Sequence, residues 1–203
     1  MATIIQLLAL VIAVMLHEVA HGWVAEKCGD PTARMSGRIT LNPLAHIDPF
    51  GSILLPAILV LTHSSFLIGW AKPVPVNFMA LRNPKRDTIL VSLAGVGVNF
   101  LLAIMASLIL KFHIINPDSL LQLFFLSTVV INVVLGVFNL FPVPPLDGSR
   151  VIMALLPDRI AYAYSRVEPI GFFIIIFLLF TGMLSAIVNP LIRILLGFLG
   201  ASL

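Results

Sequence analysis

Five long apolar stretches, roughly residues 2–25, 51–70, 88–110, 119–141 and 170–188, leave this chain few ways to fold. A helix needs about 20 apolar residues to cross a bilayer. In lipid the backbone must also satisfy its own hydrogen bonds, which favours helices. Of 203 residues, 60% are hydrophobic and only 10% charged, whereas a soluble domain carries roughly 25% charge. The reading is an all-α polytopic membrane protein, a single domain over 1–203 with the lipid bilayer as its solvent. Cys28 is the sole cysteine, which excludes an internal disulfide and a cysteine-cluster metal site. The basic residues form no patch large enough for nucleic acid, so no such partner is expected. The first sixteen residues read as a retained span, because they have neither a basic leader nor a small-residue cleavage site.

Stretches 88–110 and 119–141 are clean spans joined by the polar hairpin KFHIINPDS. Stretch 170–188 reads as a further span. Pro190 then interrupts, and the rest up to 203 reads as a short interfacial helix or partial return. About four transmembrane helices result. Stretch 51–70 differs, because Pro56 and the polar run THSS leave an uninterrupted part of only about 12 residues, which suits a re-entrant hairpin. Short β segments are expected on either side of it, at GRITLNP and WAKPVPVN, with Pro73 and Pro75 restricting the second to an edge strand. Ten of the twelve basic residues lie in segments 22–50, 71–87 and 142–169. A re-entrant 51–70 puts all three on one side, which the positive-inside rule makes cytoplasmic in a multi-pass protein of the cell membrane.

Against this background His17-Glu18-Val19-Ala20-His21 stands out at the end of the first apolar stretch. Residues four apart share a helix face, so His17 and His21 can point two imidazoles at one metal with Glu18 beside them. Two histidines and a glutamate are expensive in an apolar helix without partners. If Lys27 marks the headgroup level, the metal sits roughly 9–15 Å below it. Zinc needs a third protein ligand and an open position for water. His63, His113 and Asp118 fit poorly; His46, Asp48 and Asp147 are the serious options. Asp147 is favoured, because Pro142, Pro144 and Pro145 forbid continuous helix before it. The resulting unwound Pro-rich segment would carry a carboxylate to the metal from another element; the alternative role is an N-cap for a helix over 149–156. A re-entrant 51–70 also brings the end of span 119–141 to the same side as the His17–His21 helix. His46 and Asp48 could orient a ligand or cap the hairpin helix. Asn99 and Gly95 read as packing devices on span 88–110, although Asn99 could also hydrogen-bond across to the metal helix or the unwound segment. A membrane metal transporter or channel could use the same His/Asp cluster and also break its helices. It gives no reason for a glutamate adjoining the first ligand.

HEVAH, GRITLNPLAHIDPFG, GWAKPVPVN, LRNPKRD, SLAGVGVNFLLA and NLFPVPPLDG together closely resemble the site-2 protease family of intramembrane zinc metalloproteases, peptidase family M50, in its short prokaryotic form. The resemblance covers about 7–157 and includes neither a PDZ domain nor the extra first span of larger members. It implies one zinc on His17, His21 and Asp147, Glu18 as catalytic base, and Asn139 near the scissile bond of a membrane-protein substrate. The family's Ala-Gly-Pro-x-x-Asn pattern departs here at Val96. The expected reaction is hydrolysis of peptide bonds within or near transmembrane segments, at a site open to the cytoplasm. An edge strand at Lys72–Val76 could pair with the unwound substrate.

Overall fold

The computed structural model describes residues 1–62, 69–112, 114–117 and 119–201. Three helices are long and apolar enough to cross a membrane: α1 (Ala2–Lys27), α4 (Pro84–Lys111) and α5 (Leu120–Asn139). At about 1.5 Å per residue each reaches the roughly 30 Å of a hydrocarbon core. Each of the latter two has a defined start. Pro84 occupies the first turn of α4, and the Asp87 carboxylate accepts the Asn83 N–H at 2.8 Å. The Ser119 hydroxyl accepts the Gln122 N–H at 3.1 Å at the start of α5. Between α1 and α4 lie the short α2 (Thr32–Met35), a 3-10 turn at Pro43–His46, a π-helical turn at Pro49–Leu54, α3 (Leu55–Leu61) and a 3-10 turn at Phe78–Ala80. After α5 come α6 (Asp147–Leu155), α7 (Asp158–Ser165), α8 (Glu168–Phe180) and α9 (Met183–Phe198).

Small side chains bring the spans together. Ala9, Ala13, His17, His21 and Ala25 recur every fourth residue along α1, and all are buried. Val91, Gly95, Asn99, Ala103 and Ser107 do the same on α4. Without a hydrophobic drive between helices in lipid, such stripes let backbones approach and pack. The two histidines therefore stand in a seam that alanine lines elsewhere. Val129, Val133 and Val137 of α5 join Leu184, Val188, Ile192 and Leu196 of α9 in the main apolar cluster. Large side chains such as Leu7 and Leu101 stay outward.

Three expectations need correction. No strand forms among the described residues: 71–77 is irregular chain without a ladder, and 39–41 form bends. Pro73 and Pro75 have no N–H to donate, and the Val74 N–H is used by the Glu18 carboxylate. Arg38 donates to the Lys72 and Pro73 carbonyls at 2.7 and 3.2 Å, and Asp30 accepts the Asn77 N–H at 2.6 Å. Side chains thus take several of the bonds a partner strand would have made, and the Lys72 N–H donates to the His46 carbonyl at 2.9 Å. Stretch 170–188 is also not one helix. Gly182 adopts a left-handed φ of 74° and divides it into α8 and α9. α7 and α8 would pass as a span only as a pair bent by 65°, which gives three to four spans in all. Finally, Pro190 does not interrupt; it lies inside α9, whose buried face continues through Ile192 and Leu196.

The two ends of stretch 51–70 meet. The Trp70 N–H donates to the Gly51 carbonyl at 3.1 Å, and the Ser52 hydroxyl donates to the Trp70 carbonyl at 2.8 Å. The Trp70 ring sits between Phe50 and Phe172. Much of the THSS run, with His63, lies outside the described residues, as do His113 and Asp118.

Candidate metal centre

His17 and His21 face α4 from adjacent turns of α1, and each ring is held through its Nδ1. His21 Nδ1 lies 2.7 Å from the Val91 carbonyl oxygen, which can only accept. His17 Nδ1 lies 2.6 Å from Asn99 Oδ1. Asn99 Nδ2 donates to Asn132 Oδ1, and Asn132 Nδ2 donates to the Thr128 carbonyl, both at 2.8 Å. That carbonyl fixes the direction of the whole chain, so Asn99 presents oxygen to His17. Both Nδ1 atoms therefore carry hydrogen, and when the two imidazoles are neutral both Nε2 atoms present lone pairs. Asn99 and Asn132 are completely buried.

The two Nε2 atoms lie 2.9 Å apart. Asp147 Oδ2 lies 3.2 Å from that of His17 and 3.3 Å from that of His21. It is buried without a hydrogen-bond donor. Three acceptors thus converge with nothing to donate among them, and their mutual repulsion calls for a cation. Ligand atoms about 2.0–2.1 Å from a tetrahedral zinc stand about 3.3 Å from one another, and imidazole and carboxylate are both zinc donors. The donor set fits that ion. Its second layer also fits, because zinc-binding histidines characteristically donate their other N–H to a carbonyl or carboxylate.

Local geometry explains how the three meet. A Cβ on Gly95 would lie 2.6 Å from His17 Cε1 and from His21 Nε2, so only glycine leaves α4 room for the imidazoles. α5 ends at Asn139, residues 140–146 are not helical, and α6 begins at Asp147. Asp147 is thus the first residue of α6, and Leu146 occupies the N-cap position without a side-chain cap. A Cβ on Gly148 would run into the Leu140 carbonyl, so this glycine permits close approach. Tyr164 holds the loop by donating to the Pro142 carbonyl at 2.7 Å.

Glu18 and Asn139 line the same cavity of about 350 Å³ as His17, His21 and Asp147. Glu18 Oε2 accepts the Val74 N–H at 2.7 Å, while Asn139 Nδ2 donates to the Leu135 carbonyl at 3.0 Å. Two residues escaped sequence reading. Asn132 completes the support of His17, and its only signal was an amide in an apolar span. Arg150 lines the cavity, lies over Phe78 and pairs with Glu168 at 2.9 Å. His46 and Asp48 are not part of the cluster. Asp48 accepts the N–H groups of Phe50 and Gly51 and so caps the turn at Pro49–Leu54. His46 is buried elsewhere.

The model of the family described as Peptidase family M50 matches residues 115–182, which include Asn139 and Asp147. The chain is 38% identical to "Putative zinc metalloprotease YwhC" of Bacillus subtilis, over 92% of this chain and 84% of that protein. It is 29% identical to "Putative zinc metalloprotease Rip2" of Mycolicibacterium smegmatis, over 92% and 71% of the two chains. With "Zinc metalloprotease MJ0392" of Methanocaldococcus jannaschii it shares 26% identity over 95% of this chain and 47% of that one. No solved structure matches.

Proposed function

The chain belongs to peptidase family M50 and is a zinc metalloprotease, and from that premise we propose that it is an intramembrane endopeptidase. It would hydrolyse peptide bonds within or near transmembrane segments of membrane proteins. The observation that carries this reading is the convergence of three donor-free acceptors in the seam between two spanning helices. His17, His21 and Asp147 would hold one zinc. When bound, zinc polarises a scissile carbonyl and makes water acidic enough to attack near neutral pH.

The protein's own groups divide the remaining tasks. Glu18 adjoins His17 and lines the cavity, so its carboxylate is placed to accept the proton of the attacking water and return it to the leaving amine. The Val74 N–H fixes one carboxylate oxygen and thereby its orientation. Asn139 would hold the scissile carbonyl, with its amide steadied on the Leu135 carbonyl. In this multi-pass membrane protein 51–70 is proposed as re-entrant. That places the basic segments and the mouth of the site on the cytoplasmic side of the cell membrane. The Pro-rich segment before Asp147 would then be broken backbone at membrane depth, tolerated because it lines the cavity.

Zinc content and cleavage of a transmembrane peptide, measured on one preparation each of the parent and E18Q, test this function. Glutamine keeps the size of Glu18 and cannot take up the proton. E18Q is expected to retain zinc and lose about 10²–10⁴ in rate. Near-parent cleavage by E18Q would refute the role of Glu18. A parent that binds zinc but cleaves no membrane peptide would refute the endopeptidase. The transporter reading lacks comparable support, because these relatives are named metalloproteases.

A further inference from the structure

Among the described residues lining the metal cavity, Arg150 alone carries a fixed positive charge. It follows Asp147 by three residues on α6, so the two share a helix face about one turn apart. Its guanidinium carbon lies 4.7 Å from the centre of the Phe78 ring, and Phe78 lines the same cavity. The side chain therefore reaches from the helix of Asp147 to the 3-10 turn that follows segment 71–77, and its head stands at the cavity wall. Nη2 donates to Glu168 Oε1 of α8 at 2.9 Å. A guanidinium has five N–H donors, and the bond to Glu168 takes one of them.

That ion pair is exchangeable. Both side chains are partly open to solvent, 27% for Arg150 and 43% for Glu168, and such pairs do little to hold a fold together. A carboxylate brought by a ligand can take the place of Glu168 and meet the guanidinium fork in the same planar geometry. The other charged groups of the cavity are the carboxylates of Glu18 and Asp147. They repel an acidic ligand, which leaves Arg150 as the lining group suited to receive it.

We propose that Arg150 is a specificity-determining residue, which binds an acidic side chain of the substrate near the bond to be cut and exchanges Glu168 for it. Residues three apart on a helix have Cβ atoms about 5–6 Å apart, and extended chain covers about 3.3 Å per residue. The acidic residue therefore lies about two or three residues from the scissile bond. The chemistry selects this ligand. An apolar side chain covers the cation and leaves it unpaired, and a basic one is repelled. A backbone carbonyl accepts a hydrogen bond but brings no charge to replace that of Glu168. The inference rests on the endopeptidase reading above.

Transmembrane peptides that differ at a single residue, Asp or Lys, placed in turn at successive positions on both sides of the cut bond, test it. At one position the ratio of kcat/KM for Asp over Lys is expected to fall about tenfold or more in R150E, the effect of one hydrogen bond between charged groups. R150Q should lie between R150E and the parent, and both variants should keep their zinc. E168Q removes the competing carboxylate and should raise the ratio at that same position. An Arg150 that only ties α6 to α8 behaves otherwise, because R150Q and E168Q then slow every peptide alike. The proposal is overturned by an unchanged ratio in R150E, by a shift equal at all positions, by loss of zinc in R150Q, or by an E168Q ratio no higher than the parent's. Should R150E fail to fold, R150Q and E168Q decide by the same ratio. A parent that cleaves none of the peptides counts against the endopeptidase reading alone, and binding then tests Arg150. E18Q should hold the Asp peptide more tightly than the Lys peptide, and adding R150E should reverse that order; equal binding of the two peptides by E18Q overturns the proposal.

Discussion

Asn99 shows how much one buried amide can decide. It receives the Nδ1–H of His17 and hands its own N–H to Asn132, so the ring of His17 is fixed in one tautomer and one orientation. N99L removes the acceptor while keeping an apolar side chain of similar size. It is expected to lower zinc affinity about 10–100-fold, and competition against a chelator of known affinity measures this. N99D still accepts from His17 and should bind zinc more tightly than N99L; equal loss in both would reduce Asn99 to packing. Gly95 acts at the same place by having no side chain. In G95A the new methyl would occupy space held by the two imidazoles, so zinc content should fall even where the protein still folds. Asp147 differs from Glu18 in the same assay. D147A should lose metal and cleavage together, whereas E18Q separates them.

Among the elements, the extended segment 71–77 shows a strand replaced by side chains. Its prolines remove alternate donors, Arg38, Asp30 and Glu18 take several of the groups that remain, and the Lys72 N–H donates to the His46 carbonyl. The segment therefore covers Glu18 in a fixed register without belonging to a sheet. Its position also bears on topology. Gly51 and Trp70 are hydrogen-bonded neighbours, as a re-entrant 51–70 requires of its two ends. With Cys28 replaced by serine, single cysteines near residues 30 and 83 should react from the same face of the membrane. Labelling of the two from opposite faces would exclude a re-entrant 51–70.

For the whole molecule, the proposed metal joins parts that are distant in sequence. His17 and His21 belong to α1, and Asp147 begins α6. Without a cation, three acceptors face one another at 2.9–3.3 Å in a buried seam. A ligand that binds only the folded state stabilises it by mass action, about 2.7 kcal/mol at a hundredfold excess over its dissociation constant. Chelation should therefore lower the unfolding temperature in detergent, and added zinc should restore it. An unchanged temperature would mean that the site contributes nothing to holding α1 and α6 together.

The sequence by itself determined the spanning helices and the candidate chemistry, because both rest on local rules. Lipid leaves the backbone of α1, α4 and α5 few choices but helix, and a four-residue spacing puts His17 and His21 on one face whatever surrounds them. Three prolines stop α5 and start a new element at Asp147. Other features had no local signature. Prolines unable to donate at 73 and 75 favoured an edge strand until Glu18, distant in sequence, took the donor of Val74. The apolar run 170–188 hid a left-handed Gly182, and Pro190 was no barrier to a helix packed against α5. Tertiary packing alone decided that Asn99 would meet His17, that Asn132 would support it, and that Arg150 would pair with Glu168 of α8. Each depends on which helix lies opposite, and that is set by close packing of small side chains across the seams.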